Sequence, residues 1–262
     1  MQDNVLEMKG ISIQFPGVRA LDEVDFTLKK GEVHALLGEN GAGKSTLIKC
    51  LTGVHHMDTG TILLDGAEIH PSSPQSAISM GISTVFQEIN LCPNLTVAEN
   101  IFIGRQPMTG PRIDWKTINR RARELMERMG MSIDVTRPLS YYSIAVQQMV
   151  SIARAVDIQA KVLILDEPTS SLDEHEVQRL FAVVRDLKTQ GLGIIFITHF
   201  LDQVFEISDR ITVLRNGRLV GEFLTNAITK LDLVTSMIGK DMNEIFNLKR
   251  AEQKEGAPTV FE

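Results

Sequence analysis

The chain has 262 residues, 43% of them apolar and 23% charged, which suits one globular unit with room for a subdomain and excludes disorder as the default. Its 27 Lys and Arg against 33 Asp and Glu leave a formal charge of −6, so no global basic field points to nucleic acid as a partner. Cys50 and Cys92 are too few for a disulfide framework and are expected to be small core residues; no apolar run reaches the roughly 20 residues that span a bilayer.

Strands come first. "NVLEMKGISIQF" and "ALDEVDFTLKKGEVHALLGEN" alternate apolar with polar residues, and the run from Val33 to Leu37 is continuously apolar, as a fully buried strand requires. After Gly43-Lys44, "STLIKCLTGV" takes helical spacing, giving strand, glycine loop and helix in that order. His55-His56 lacks further ligands at metal spacing and reads as a surface loop. "GTILLDGAEI" and "GISTVFQ" are further strands punctuated by glycine.

From about residue 88 to 158 the character turns helical, as expected of an inserted subdomain. Within it "NRRARELMERMGM" is amphipathic: Met126, Met129 and Met131 read as core filling, and "NRRARE" as a solvated face with a phosphate or lipid patch as the lesser alternative. "QQMVSIARAV" is another helical pattern. "KVLILDEP" has the length and apolar content of a central parallel strand, "EHEVQRLFAVVRDLKTQG" is a helix with a glycine stop, and "GIIFITH" and "RITVLRNGRLV" supply more strands. This alternation predicts an α/β fold with a mainly parallel core. "KLDLVTSMIGKDM" reads as a short helix, and residues 241–262 as a polar linker. The closing "TVFE" echoes "NVLE" and reads either as the first strand of a second, similar half or as a frayed end.

The chemistry begins at "GENGAGKST": Gly38, four residues, then Gly43, Lys44 and Ser45 form the P-loop (Walker A) pattern between a buried strand and a helix. Backbone N–H groups along Gly38, Glu39, Asn40, Gly41, Ala42 and Gly43 and the helix start through Thr46 make an anion site. Lys44 reaches the β and γ phosphates of a nucleotide, and the Ser45 hydroxyl is suited to Mg²⁺. In "LILDEPTSSLD", Asp166 closes the strand as the Walker B acid that holds Mg²⁺ through water, and Glu167 is positioned to polarise an attacking water as general base. His199 in "FITHF" falls on the same sheet edge if the two strands are parallel neighbours. Gln87, ending "TVFQ", is a neutral amide able to touch Mg²⁺ or water.

This constellation resembles the ATP-binding subunits of ABC transporters over nearly the whole chain: P-loop Gly38 to Thr46, Q-loop Gln87, "LILDEP", D-loop Ser171-Leu172-Asp173 and switch histidine His199. The resemblance implies a P-loop NTPase of the ABC ATPase fold over residues 1–240, with a mainly parallel RecA-like core, an antiparallel β subdomain and the inserted helices. ATP and Mg²⁺ are the implied cofactors. Phe15 in "FPGVRAL" is either the aromatic that stacks on adenine or a packed core residue. The segments "FPGVRALDEVDF", "LLGENGAGKSTLIKCLTGV" and "THFLDQV" resemble the N-terminal half of tandem ATPases of monosaccharide importers. The galactofuranose type is nearest, with the ribose, galactose and xylose types as neighbours. This implies a peripheral position on the cytoplasmic face of the plasma membrane, permease subunits and a second ATPase half as partners, and a periplasmic or extracellular sugar-binding protein as an indirect one.

The family's signature, L-S-G-G-Q, aligns through "QQMVSIARA" at Tyr142 to Val146. Ser143 keeps the signature hydroxyl, Ile144 and Ala145 stand at the glycine positions, Val146 replaces glutamine, and the upstream Leu139-Ser140 is a decoy. The expectation is a degenerate signature facing an altered site on a missing second half, and slow hydrolysis by the chain alone.

Overall fold

The computed structural model describes residues 4–86 and 91–239. Two long strands, β1 (Asn4–Phe15) and β2 (Val18–Lys29), form an antiparallel pair whose inward residues include Leu6, Met8, Leu21, Val24 and Phe26. The fully buried β3 (Val33–Leu37) follows, then α1 (Lys44–Leu51), β4 (Thr59–Leu64), β5 (Ala67–Glu68), α2 (Pro74–Met80) and β6 (Ile82–Val85). The inserted region contains α3 (Val97–Phe102), a small hairpin of β7 (Met108–Thr109) and β8 (Arg112–Ile113), α4 (Trp115–Arg128) and α5 (Ile144–Asp157). The chain then alternates: β9 (Val162–Asp166), α6 (Glu174–Thr189), β10 (Gly193–Ile197), α7 (Leu201–Ile207), β11 (Arg210–Arg215), β12 (Arg218–Leu224) and α8 (Lys230–Ile238).

The larger sheet runs β12-β11-β3-β10-β9-β6 and is parallel except for β12; the smaller runs β2-β1-β4-β5 and is antiparallel. Parallel strands need both faces covered. One face of the large sheet packs with α3 to α6 through residues such as Phe102, Phe181 and Phe196, and the other packs against α1 and the small sheet through Leu47, Ile164 and Ile195. Register puts Asp166 beside Ile197 and Phe196 beside Ala35, so the carboxyl ends of β3, β9 and β10 open onto one edge. In parallel α/β sheets this edge holds the ligand site.

A buried ion cluster ties the two sheets. Arg210 on β11 donates from Nε and Nη2 to Glu32 at 2.8 Å each, and from Nη1 to Thr27 Oγ1 on β2 at 3.0 Å and Glu222 on β12 at 2.7 Å. Beside it the fully buried His34 stacks on Phe26, with Nδ1 2.7 Å from the Thr27 carbonyl and Nε2 2.8 Å from Thr212 Oγ1.

Several expectations are adjusted. Cys50 is buried, but Cys92 is exposed, because it lies in the turn before α3 where Asn100 holds its backbone through Cys92 N–H to Oδ1 at 2.7 Å. The face of "NRRARE" is not uniformly solvated: Arg121 reaches Asp157 at 2.6 Å and lies 4.9 Å from the Phe102 ring centre. Met126 is fully buried, while Met129 and Met131 pack against the core only partly. Gln87, the linker and "TVFE" lie outside the described residues.

Candidate functional site

The glycine-rich loop at residues 38–43 forms because β3 stops at Leu37 and the chain must reverse into α1 within six residues. Two glycines make that reversal feasible. Gly38 has φ 151°, and a Cβ there would collide with the Leu214 carbonyl oxygen; Gly43, at φ 107°, caps α1 with Leu21 Cδ2 only 2.8 Å from where a Cβ would sit. Gly41 stands exposed on the loop between them. The N-terminus of α1 has no side-chain cap, so its N–H groups are available to an anion.

Lys44 folds back over the loop, donating to the carbonyls of Gly38 at 2.6 Å and Glu39 at 3.1 Å. Burial holds its ammonium below the ordinary lysine pKa, while the charges of Glu167 and Asp166 act in the opposite direction. Those two carboxylates therefore lie within electrostatic reach of Lys44. Asp166 ends β9, and its pKa is raised, first by burial and then by the charge on Glu167, against the pull of Lys44. The Ser45 hydroxyl is exposed at the start of α1.

Glu167 is held unusually. Its backbone is left-handed at φ 50°, and its N–H donates to the Ile197 carbonyl at 2.9 Å, so the neighbouring strand aims the side chain. His199 lies two residues beyond β10, and its Nδ1 is 3.1 Å from Glu167 Oε1 and 3.0 Å from Oε2. Only the Oε1 contact has hydrogen-bonding geometry, so the buried Oε2 has no hydrogen-bond partner among the described residues. An unpaired buried carboxylate oxygen is costly, and a water between it and a substrate would satisfy it. The expected shared edge of Asp166, Glu167 and His199 is thus present.

No group of three His, Cys, Asp or Glu among the described residues forms a metal site of its own. The Ser45 hydroxyl and the Asp166 carboxylate are oxygen donors of the kind Mg²⁺ takes when it keeps waters and draws its remaining ligands from substrate phosphates.

Phe15 ends β1, half-buried, with its ring edge-on to His55 at 5.2 Å between centroids. Ser171 and Asp173 are exposed and Leu172 packs on the main core; Asp173 also caps α6 in a reciprocal capping box with Glu176. In the signature segment, Ser143 caps α5, accepting from the Val146 N–H at 3.5 Å. Ile144 occupies the first helical position and is 50% exposed, whereas Ala145 and Val146 turn inward. Tyr142 anchors the approach by donating to the Asp134 carbonyl at 2.7 Å.

One connection is only faintly marked in the sequence. The buried Thr169 donates from Oγ1 to Gln203 Oε1 on α7 at 2.6 Å, which ties the segment after Glu167 to the helix after His199. The hydroxyl two residues after "DE" and the amide four after His199 were its visible signs.

The sequence model of the ABC transporter family matches residues 21–170. The galactofuranose transporter ATP-binding protein YtfR of Escherichia coli (strain K12) is 54% identical over 239 residues, covering 91% of this chain and 48% of its own. The fructose import ATP-binding protein FruK of Bifidobacterium longum is 52% identical over 92% of this chain and 47% of its own. The ribose import ATP-binding protein RbsA 1 of Rubrobacter xylanophilus is 51% identical over 96% and 50%. The chain spans about half the length of the curated relatives it matches. Among solved structures, the ADP conformation of MJ1267, an ATP-binding cassette of an ABC transporter, superposes with a TM-score of 0.79 at 27% identity, covering 90% of this chain and 99% of that one.

Proposed function

The chain belongs to the ABC transporter family, and from that we propose that it binds Mg·ATP and hydrolyses it to drive a monosaccharide through a membrane permease. The observation that supports the reading is the Glu167 carboxylate, with one oxygen bonded to His199 and the other without a partner among the described residues, at the strand edge that also carries Asp166. Glu167 takes a proton from the water that attacks the terminal phosphorus as its bond to the β–γ bridging oxygen breaks and ADP leaves, and His199, donating from Nδ1, keeps the carboxylate aimed. Lys44, held over the loop by the Gly38 and Glu39 carbonyls, would turn its ammonium from them to the β and γ phosphates. Ser45 and Asp166 would hold Mg²⁺, with Gln87 as a further contact; the ion supplies charge neutralisation on the phosphates. Phe15 offers a ring face for adenine.

The relatives named above are a galactofuranose, a fructose and a ribose protein, which supports monosaccharide as the cargo class and galactofuranose as the first candidate to test. The proposed setting is peripheral, on the cytoplasmic face of the membrane, against permease subunits, with a sugar-binding protein beyond them. Among the described residues no helix is long and apolar enough to cross a membrane.

The degenerate signature gives the proposal its asymmetry. In the ABC arrangement, ATP lies between the P-loop of one half and the signature of the other. Ile144 would put a branched side chain where backbone must approach phosphate, and the Ser143 oxygen already accepts from the helix N-terminus it would otherwise leave free. Two copies of this chain would therefore pair good P-loops with poor signatures and turn over slowly; a second ATPase half with an intact signature would complete the working site.

Titration of the purified chain with Mg·ATP, followed by phosphate release, tests the reading. The wild type should bind saturably and hydrolyse slowly. Glu167→Gln should keep the affinity within about threefold while turnover falls by roughly 10²–10⁴. Lys44→Ala should lose both. Affinity that ignores Lys44, or turnover that survives Glu167→Gln, would refute it.

A further inference from the structure

Although the chain is acidic overall, residues 103–123 carry six basic side chains and one acid, Asp114. Two of the six have internal work: Arg105 and Arg121 both grip Asp157, at 2.7 and 2.6 Å. Asp114 is likewise engaged, capping α4 by accepting from the Thr117 N–H at 3.0 Å. The others point outward. Lys116, Arg120 and Arg123 recur at i, i+4 and i+7, which places them on one exposed face of α4, and Arg112 is exposed on β8 next to its start. Only Arg120 has an ion-pair partner among the described residues, the exposed Glu124 at 3.0 Å.

Apolar side chains stand beside this face. Met108 and Ile113 pair across the β7–β8 hairpin and are 56% and 37% exposed; Trp115, the first residue of α4, is 46% exposed. Buried neighbours were within reach of the same helix, since Ile118 and Ala122 are fully covered. Three solvated apolar groups, one of them tryptophan, beside four exposed cations, of which only Arg120 is ion-paired among the described residues, match what a membrane interface selects: an amphipathic ring at headgroup depth and cations against anionic lipid.

We infer that the β7–β8 hairpin and the first turns of α4 form a docking surface for an anionic lipid bilayer. Met108, Ile113 and Trp115 enter the headgroup region while Arg112, Lys116, Arg120 and Arg123 face the lipid phosphates. Charge decides the occupant. An anionic bilayer repels most of a chain with net charge −6 and attracts this segment, so the contact has one orientation. It adds a direct membrane contact to whatever holds the chain to a permease and does not depend on that reading.

Trp115 is the only tryptophan in the chain, so its emission reports on this patch alone. The purified chain is titrated with phosphatidylglycerol-containing vesicles and, separately, with phosphatidylcholine vesicles. Expected are a blue shift and co-sedimentation with the anionic vesicles only, both reversed by high salt. Arg112→Gln with Lys116→Gln, at two exposed positions, should weaken partitioning about 25-fold, roughly fivefold per charge removed, with Mg·ATP affinity unchanged. Unmoved emission with both vesicle types, which is the result expected of a surface built for a protein loop, would overturn the inference. So would equal binding to both lipids, sedimentation without a Trp115 shift, or a double variant that binds as the wild type does. The nucleotide titration on the same preparation separates failure here from failure of the proposed ATPase.

Discussion

Restoring glycine at Ile144 and Ala145 should move stability and activity in opposite directions. Both residues lie in the first turn of α5, one half exposed and one turned into the core. Glycine costs about 0.5–1 kcal/mol relative to alanine within a helix, so two of them cost roughly 1–2 kcal/mol in backbone freedom. Losing the buried half of Ile144 and the Ala145 methyl adds about 1–2 kcal/mol. The sum, about 3 kcal/mol, corresponds to a Tm lower by roughly 6–12 °C for a chain of this size. Under the proposed reading the same change removes side chains that would keep phosphate from the N-terminus of α5, so hydrolysis by paired copies of the chain should rise at least about tenfold, a gain of ~1.4 kcal/mol in transition-state stabilisation. Thermal melts and phosphate release at 25 °C, below either melt, read the two effects separately. A variant that melts lower, binds Mg·ATP normally and hydrolyses no faster would refute the reasoning, because the signature would then not be what limits turnover.

Two further perturbations test the frame beneath the site. Arg210→Met leaves the buried Glu32 carboxylate without its two charged hydrogen bonds and should cost about 3–5 kcal/mol, seen as a Tm lower by roughly 10 °C; adding Glu32→Gln should recover part of that loss, and no recovery would show that the charge was not the cause. His34 has its pKa pushed down to about 3, mainly by burial and secondly by the Arg210 charge. Folding therefore favours the neutral ring. Stability should be complete above the unfolded-state pKa of about 6.5 and fall by up to ~1.4 kcal/mol per pH unit from there toward 3, a slope that denaturant titrations of His34→Gln should lack.

Much of the site was readable because its chemistry is local. A buried strand, glycines at fixed spacing and a helix beginning at Lys44 are properties of one short segment, and the positive φ of Gly43 admits few other residues there. Asp166 and Glu167 were likewise marked by the end of an apolar run. The sequence also suggested that His199 shares their edge, but only conditionally, since the pairing of β9 with β10 joins segments separated by a whole helix. Cys92 went the other way: its residue type says core, yet the turn that Asn100 braces leaves it in solvent. The Met108, Ile113 and Trp115 patch could not be read either, because an apolar residue in a helical segment is ordinarily covered, and only packing reveals which are not.

By itself the sequence determined the glycine loop between β3 and α1, the acids at the end of β9 and the parallel α/β order. These follow from backbone geometry and hydrophobic period over a few residues at a time. Tertiary structure alone decided that His199 bonds one oxygen of Glu167, that Arg210 joins two sheets, and that Thr169 is bonded to Gln203. Each of those is a contact between side chains distant along the chain. Its existence depends on which strands and helices become neighbours when the whole core closes.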